Sequence, residues 1–220
     1  KVPCVILLSG WRGDRNSRRF VGIASALAQV GIASLRFDFQ GHGQSEGDIA
    51  RVGLQQEYQN VEVALQYLSS RRKIDTSRLG IVGASVGGSV ALLAMSSRAD
   101  VFRCGVLVSV RSDFHKDLKP GTYSFTDQAG KRVVNRVMMR SGRRVDFYEL
   151  AAATKHPVLV LHGEQDRTVP IRQSWQLVKG RENFELIPII GGDHVLRGEF
   201  NNQVVSEAVR FLVSHLNSRR

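Results

Sequence analysis

At 220 residues, 42% hydrophobic and 23% charged, the chain suits a single globular domain spanning 1–220 and excludes a second large one. The 31 Lys and Arg against 20 Asp and Glu give a net charge of +11, yet no zinc-finger spacing, basic zipper or aromatic RNA-binding signature accompanies it, so no nucleic-acid partner is expected. No apolar run approaches the roughly 18 residues of a membrane span, and residues 1–9 are too short for a signal peptide with its cleavage site, so the expectation is a soluble, cytoplasmic protein.

In chain order, short apolar runs alternate with helix-length amphipathic segments, the pattern of an α/β class with a mostly parallel central sheet and helices on both faces. The chain opens at Lys1 without Met, so an upstream segment is expected to have been removed. The first strand falls near 4–8, a helix near 17–29 ends at Gly31, and a strand follows near 33–38. A helix over 54–70 repeats Leu54, Tyr58, Val61, Ala64, Leu65 and Leu68 at core spacing. The strand near 79–83 leads into a helix near 86–97. Strands near 105–110, 157–162 and 184–190 and helices near 170–179 and 203–217 complete the alternation. Cys4 and Cys104 lie in or beside strand-like runs and are read as buried free thiols, without a metal or disulfide.

Residues 111–146 break the alternation. This stretch is basic and aromatic, with turn signals at Lys119-Pro120-Gly121 and Gln128-Ala129-Gly130, and reads as an insertion with a short hairpin around Gly130; a plain disordered loop is the alternative. Its cluster of Lys131, Arg132, Arg136, Arg140, Arg143 and Arg144 contains no acid. A smaller cluster, Arg12, Arg15, Arg18 and Arg19, follows the first strand.

The pattern Gly-x-Ser-x-Gly occurs twice, so context must choose between its serines. Gly43-Gln44-Ser45-Glu46-Gly47 has no strand before it or helix after it, and Ser45 reads as a turn residue. Gly83-Ala84-Ser85-Val86-Gly87 joins a strand to a helix of small residues. A nucleophile on so tight a turn needs neighbours without side chains, and the helix start offers the Val86 N–H to a developing oxyanion.

A serine hydroxyl needs a base, and the base an orienting acid. Of six histidines, His194 follows the last strand on a loop at the carboxyl edge of the sheet. His162, at the end of a strand, reads as structural. Asp166 is the expected acid, with Glu164 as its rival and Asp193 read as a local cap. The order Ser85, Asp166, His194 suits this strand-turn-helix context. Gly10 would let the backbone approach the substrate and make the Trp11 N–H a second oxyanion donor; a packing role for Trp11 is the alternative.

Taken in order, Ser9-Gly10-Trp11, Arg36 to Ser45, Gly83 to Gly87, His162 to Pro170 and Gly191 to His194 resemble the α/β-hydrolase superfamily. The resemblance is to its serine-aminopeptidase-like and lysophospholipase-like group, especially small carboxylesterases of the feruloyl and cinnamoyl esterase type. It implies the α/β-hydrolase fold and a short lid where the basic insertion lies. Two departures stand out. Ser9 occupies a position usually held by His, and the initial antiparallel strands of such relatives are absent, which would leave a sheet edge near residues 34–39 exposed.

The expected activity is cofactor-free and metal-free hydrolysis of a carboxylic ester through an acyl-enzyme. The alternatives are a thioesterase or acyltransferase using the same triad, a peptidase, or a non-catalytic binding protein. Phe114, Tyr123 and Phe125 are candidate substrate-binding residues. The basic clusters raise an anionic ester as substrate, against a merely solvated basic surface. Acyl specificity and oligomeric state are not legible.

Overall fold

The computed structural model describes residues 1–116, 118–119, 121–126 and 129–217. Its main sheet, among the described residues, has six strands: β1 (Val2–Leu8), β2 (Ala33–Arg36), β3 (Ile74–Ala84), β4 (Phe102–Val108), β7 (Val158–Gly163) and β8 (Phe184–Ile189). They lie in the order β2-β1-β3-β4-β7-β8, and every pairing is parallel. Parallel strands need crossover connections, which put helices on both faces and bury both sides of the inner strands, while the edge strands β2 and β8 stay partly exposed.

In β1, Cys4, Ile6 and Leu8 enter one core layer with side chains of α2 (Leu54–Ser69), α3 (Val86–Ser97) and α5 (Phe147–Ala153). Val5 and Leu7 point the other way, into a layer built on α1 (Arg18–Gln29) and α7 (Glu199–Leu216). Burial on both faces explains why the inner strands carry short apolar runs, such as residues 4–8 of β1, rather than an alternation of apolar and polar residues. Cys4 and Cys104 are buried free thiols, one in each layer.

The expected elements are present with shifted ends. β3 starts at Ile74, and α7 starts at Glu199, immediately after Gly198. The stretch 111–146 holds more structure than its composition suggests. Antiparallel β5 (Ser124–Thr126) and β6 (Arg132–Val134) flank Gly130, whose φ is 77°, and α4 (Arg136–Arg143) follows. Pro120 and Gln128, two of the expected turn residues, lie outside the described residues. Asn135 caps α4 by accepting from the Met138 N–H, while its amide donates to the carbonyls of Ile49 and Val52 at 2.6 and 2.7 Å. Ser141 Oγ accepts from the Leu54 N–H at 3.0 Å, so the segment is tied to the start of α2.

Candidate active site

β3 ends at Ala84 and α3 begins at Val86, leaving Ser85 as the whole turn, with φ 53° and ψ −117°. A non-glycine residue held at positive φ carries a conformational cost that the surroundings must offset. Here the Ser85 N–H donates to Val108 O at 2.8 Å, and Ser85 O accepts from Gly88 and Ser89 N–H at 3.0 and 3.2 Å. The flanking glycines follow from close approach. A Cβ on Gly83 would overlap the Gly87 carbonyl, and one on Gly87 would strike the Ser9 and Leu8 carbonyls. The second serine of the pattern is bonded differently, its Oγ donating to Asp38 O at 2.7 Å in a turn organised by the Asp38 carboxylate.

The loops after β7 and β8 bring Asp166 and His194 to the same edge. Nδ1–H of His194 donates to Asp166 Oδ2 at 2.6 Å, and His194 Nε2 stands 3.2 Å from Ser85 Oγ, placed to accept its proton. Asp166 Oδ1 accepts the N–H groups of Thr168 and Val169, both at 2.8 Å. Burial pushes the Asp166 pKa up, but hydrogen bonds from His162 and His194, the charge of His194 and the Val169 N–H outweigh it and hold the carboxyl below the usual range. Asp193 caps its own loop through the Val195 and Leu196 N–H groups. Glu164 is exposed and accepts from the Gly191 N–H at 3.4 Å.

His162 is closer to Asp166 than a strand-end reading suggests. Fully buried, its Nε2 lies 2.8 Å from Val169 O and 3.2 Å from Asp166 Oδ2. A carbonyl only accepts, so Nε2 carries a proton, and Nδ1 shares a hydrogen bond with Ser174 Oγ at 2.7 Å. Asp166 is therefore gripped by two imidazoles and two backbone donors.

Gly10 sits under the elbow, where a Cβ would come within 3.0 Å of Ala84 O and 3.1 Å of Ser85 Cβ. Trp11 follows it on the wall of a cavity of about 310 Å³ that also includes Ser85, His194, Ser109, Arg111, Tyr123 and Thr168. The N–H of Val86, first in its helix, has no acceptor within α3, as at any helix start. The Trp11 ring meets His42, Tyr123 and Phe125 edge to face at 5.6, 5.4 and 6.4 Å. Of the three aromatic candidates, Tyr123 is on the wall. Phe114 is stacked behind it, 6.1 Å from Tyr123 and 5.6 Å from Phe147, and Phe125 packs over Trp11.

The two basic clusters part company. Arg19 reaches the cavity wall, while Arg143 and Arg144 border a separate hollow with Asp113, Phe114 and His115. Arg15 is engaged by Asp38 at 3.1 Å. Arg111, which precedes the cluster in sequence, is a buried cation of the wall. Among the described residues no group of three or more His, Cys, Asp or Glu suits a metal ion, and no helix is long and apolar enough to cross a membrane.

A sequence profile of the prolyl oligopeptidase family matches residues 20–219. The chain belongs to that family. Among relatives of this prolyl oligopeptidase family chain, the uncharacterized protein YfhR of Salmonella typhi is 25% identical over 226 residues, covering 99% of this chain and 74% of YfhR. Among solved structures, Est1E of Butyrivibrio proteoclasticus with ferulic acid bound is 22% identical, with a TM-score of 0.85 over 99% of this chain and 91% of that one. The monoacylglycerol lipase of Paleococcus ferrophilus is 19% identical, with a TM-score of 0.77 over 97% and 96%. The fold is thus the α/β-hydrolase fold, as expected.

Proposed function

We propose that the chain is a serine hydrolase that cleaves carboxylic esters through an acyl-enzyme. The observation that carries this reading is the continuous relay from Asp166 through His194 to Ser85 Oγ, at 2.6 and 3.2 Å, ending on a serine held at φ 53°. In this reading His194 takes the Ser85 proton as Oγ attacks the acyl carbon, then returns it to the departing alcohol. Asp166, kept ionised, fixes the Nδ1–H tautomer and stabilises the imidazolium. The N–H groups of Trp11 and Val86 receive the oxyanion, and water activated by the same histidine releases the acid. No cofactor enters these steps. Residues 111–146 act as the lid, contributing Tyr123 to the cavity wall.

Esterase and lipase structures with this fold support the ester as the bond cleaved. The family profile favours a peptide bond as the second reading. Parallel assays on aryl esters and peptide anilides separate the two. A fluorophosphonate probe is expected to label Ser85, and Ser85→Ala to abolish both labelling and ester turnover; unchanged turnover in Ser85→Ala would end the proposal.

A further inference from the structure

Arg111 is 1% exposed, yet it lines the same cavity as Ser85 and His194. Removing a guanidinium from water is costly unless a counter-charge or full hydrogen bonding replaces the solvent. Its bonds are to carbonyl oxygens, of Thr168 at 2.9 Å and of Asp113 at 3.5 Å, and the Phe114 ring lies 5.9 Å from its Cζ. Among the described residues no carboxylate pairs with it. The Asp113 carboxylate is turned to the His115 and Lys116 N–H groups, and Asp166 is committed to its two histidines. A guanidinium has five N–H donors, so two carbonyl bonds leave its fork incompletely engaged.

Four other polar atoms in residues of that wall, Trp11 Nε1, Arg19 Nε, Ser109 Oγ and Tyr123 OH, are buried without a hydrogen-bond partner among the described residues. Burial pushes the Tyr123 hydroxyl above its usual range, and the charge of Arg111 works against that shift. Glu57 also acts on it, but burial lifts the Glu57 carboxyl to about 8, so it is held largely neutral. Arg19 adds a second guanidinium to the wall, donating to Val195 O at 2.5 Å, with Asp193 in its field.

We propose that Arg111, with the Tyr123 and Ser109 hydroxyls, forms a receptor for a compact oxyanion on the substrate, so that the preferred esters carry a carboxylate or phosphate beside the scissile bond. This rests on the ester-hydrolase reading and names its substrate class. The anion supplies the missing counter-charge and accepts from the guanidinium fork and both hydroxyls, and such bonds to an ionised group are charge-assisted.

The test uses two matched ester pairs followed by NMR. Methyl hydrogen adipate against methyl hexanoate puts the anion on the acyl side; 4-carboxyphenyl butyrate against phenyl butyrate puts it on the leaving group. The wild type is expected to favour the charged member of one pair, and that pair identifies the side that carries the anion. Arg111→Met is expected to cut kcat/KM for the favoured charged ester by about tenfold or more, through KM, and to leave neutral esters within about threefold, with partial recovery in Arg111→Lys. Equal losses on charged and neutral esters would mean that Arg111 only anchors the Thr168 loop, and would overturn the proposal, as would a wild type indifferent to charge in both pairs. Turnover that survives Ser85→Ala would overturn the hydrolase reading instead. Should Arg111→Met not fold, inhibition of the wild type by adipate but not by hexanediol carries the test, and no inhibition by adipate would count against the receptor.

Discussion

Replacing Asp166 by Asn changes one atom and isolates what the acid does. Oδ1 already accepts from Thr168 and Val169 at 2.8 Å, so the Asn carbonyl must stay on that side; the reversed amide would point its NH2 at two N–H donors. The NH2 group then faces His194 Nδ1, 2.6 Å from the original oxygen, and His162 Nε2–H, 3.2 Å away. Nδ1 can satisfy it only by giving up its own proton, which moves the proton to Nε2, opposite Ser85 Oγ. The base is thereby withheld although every loop keeps its place. A wrong tautomer of this kind lowers kcat by about 10⁴, or roughly 5 kcal/mol of barrier. The assay is steady-state hydrolysis of an aryl ester by Asp166→Asn, with circular dichroism to show that the fold persists. A folded variant retaining more than about a tenth of wild-type kcat would refute the argument, because the charge and tautomer would then be dispensable.

Gly83→Ala is expected to destabilise by about 3 kcal/mol, the upper range of overpacking, since the new methyl meets the Gly87 backbone rather than a side chain; denaturant unfolding reads it, and a loss under about 1 kcal/mol would show that the elbow can yield. Glu57→Gln tests the buried acid. Burial raises the Glu57 carboxyl to about 8, so the folded state binds more protons than the unfolded one between its ordinary value, about 4.3, and 8, and wild-type stability falls as pH rises across that window. The Gln variant loses that contribution, so its melting temperature is expected to gain on the wild type between about pH 5 and about pH 9; parallel curves would contradict the assignment.

The sheet was legible because β1, β4 and β7 are buried on both faces over most of their length and therefore carry short apolar runs, at residues 104–108 of β4 and 158–161 of β7. Ser85, Asp166 and His194, which the structure brings within bonding distance, could be picked out because each follows a strand end, and strand ends are what alternation marks. Helix α4 was hidden by charge: Arg136, Arg140 and Arg143 dominate its composition, whereas its anchoring rests on Met138, Asn135 and Ser141. Arg111 was hidden for the opposite reason. A single arginine at the edge of a basic stretch looks solvated, and only the packing of β4, the Thr168 loop and Tyr123 around it reveals its burial. His162 likewise depends on a contact four residues away around a turn, to which neither helical nor strand spacing is sensitive.

Cys4 and Cys104 lie in opposite core layers, and burial lifts their thiols to about 11 and about 12. Neither ionises or meets reagent while its layer is closed. The molecule thus carries one native chemical reporter on each side of its sheet. Time-resolved alkylation with site-by-site mass measurement reads whether the α1–α7 layer and the α2–α3 layer open together or in turn, without introducing a label.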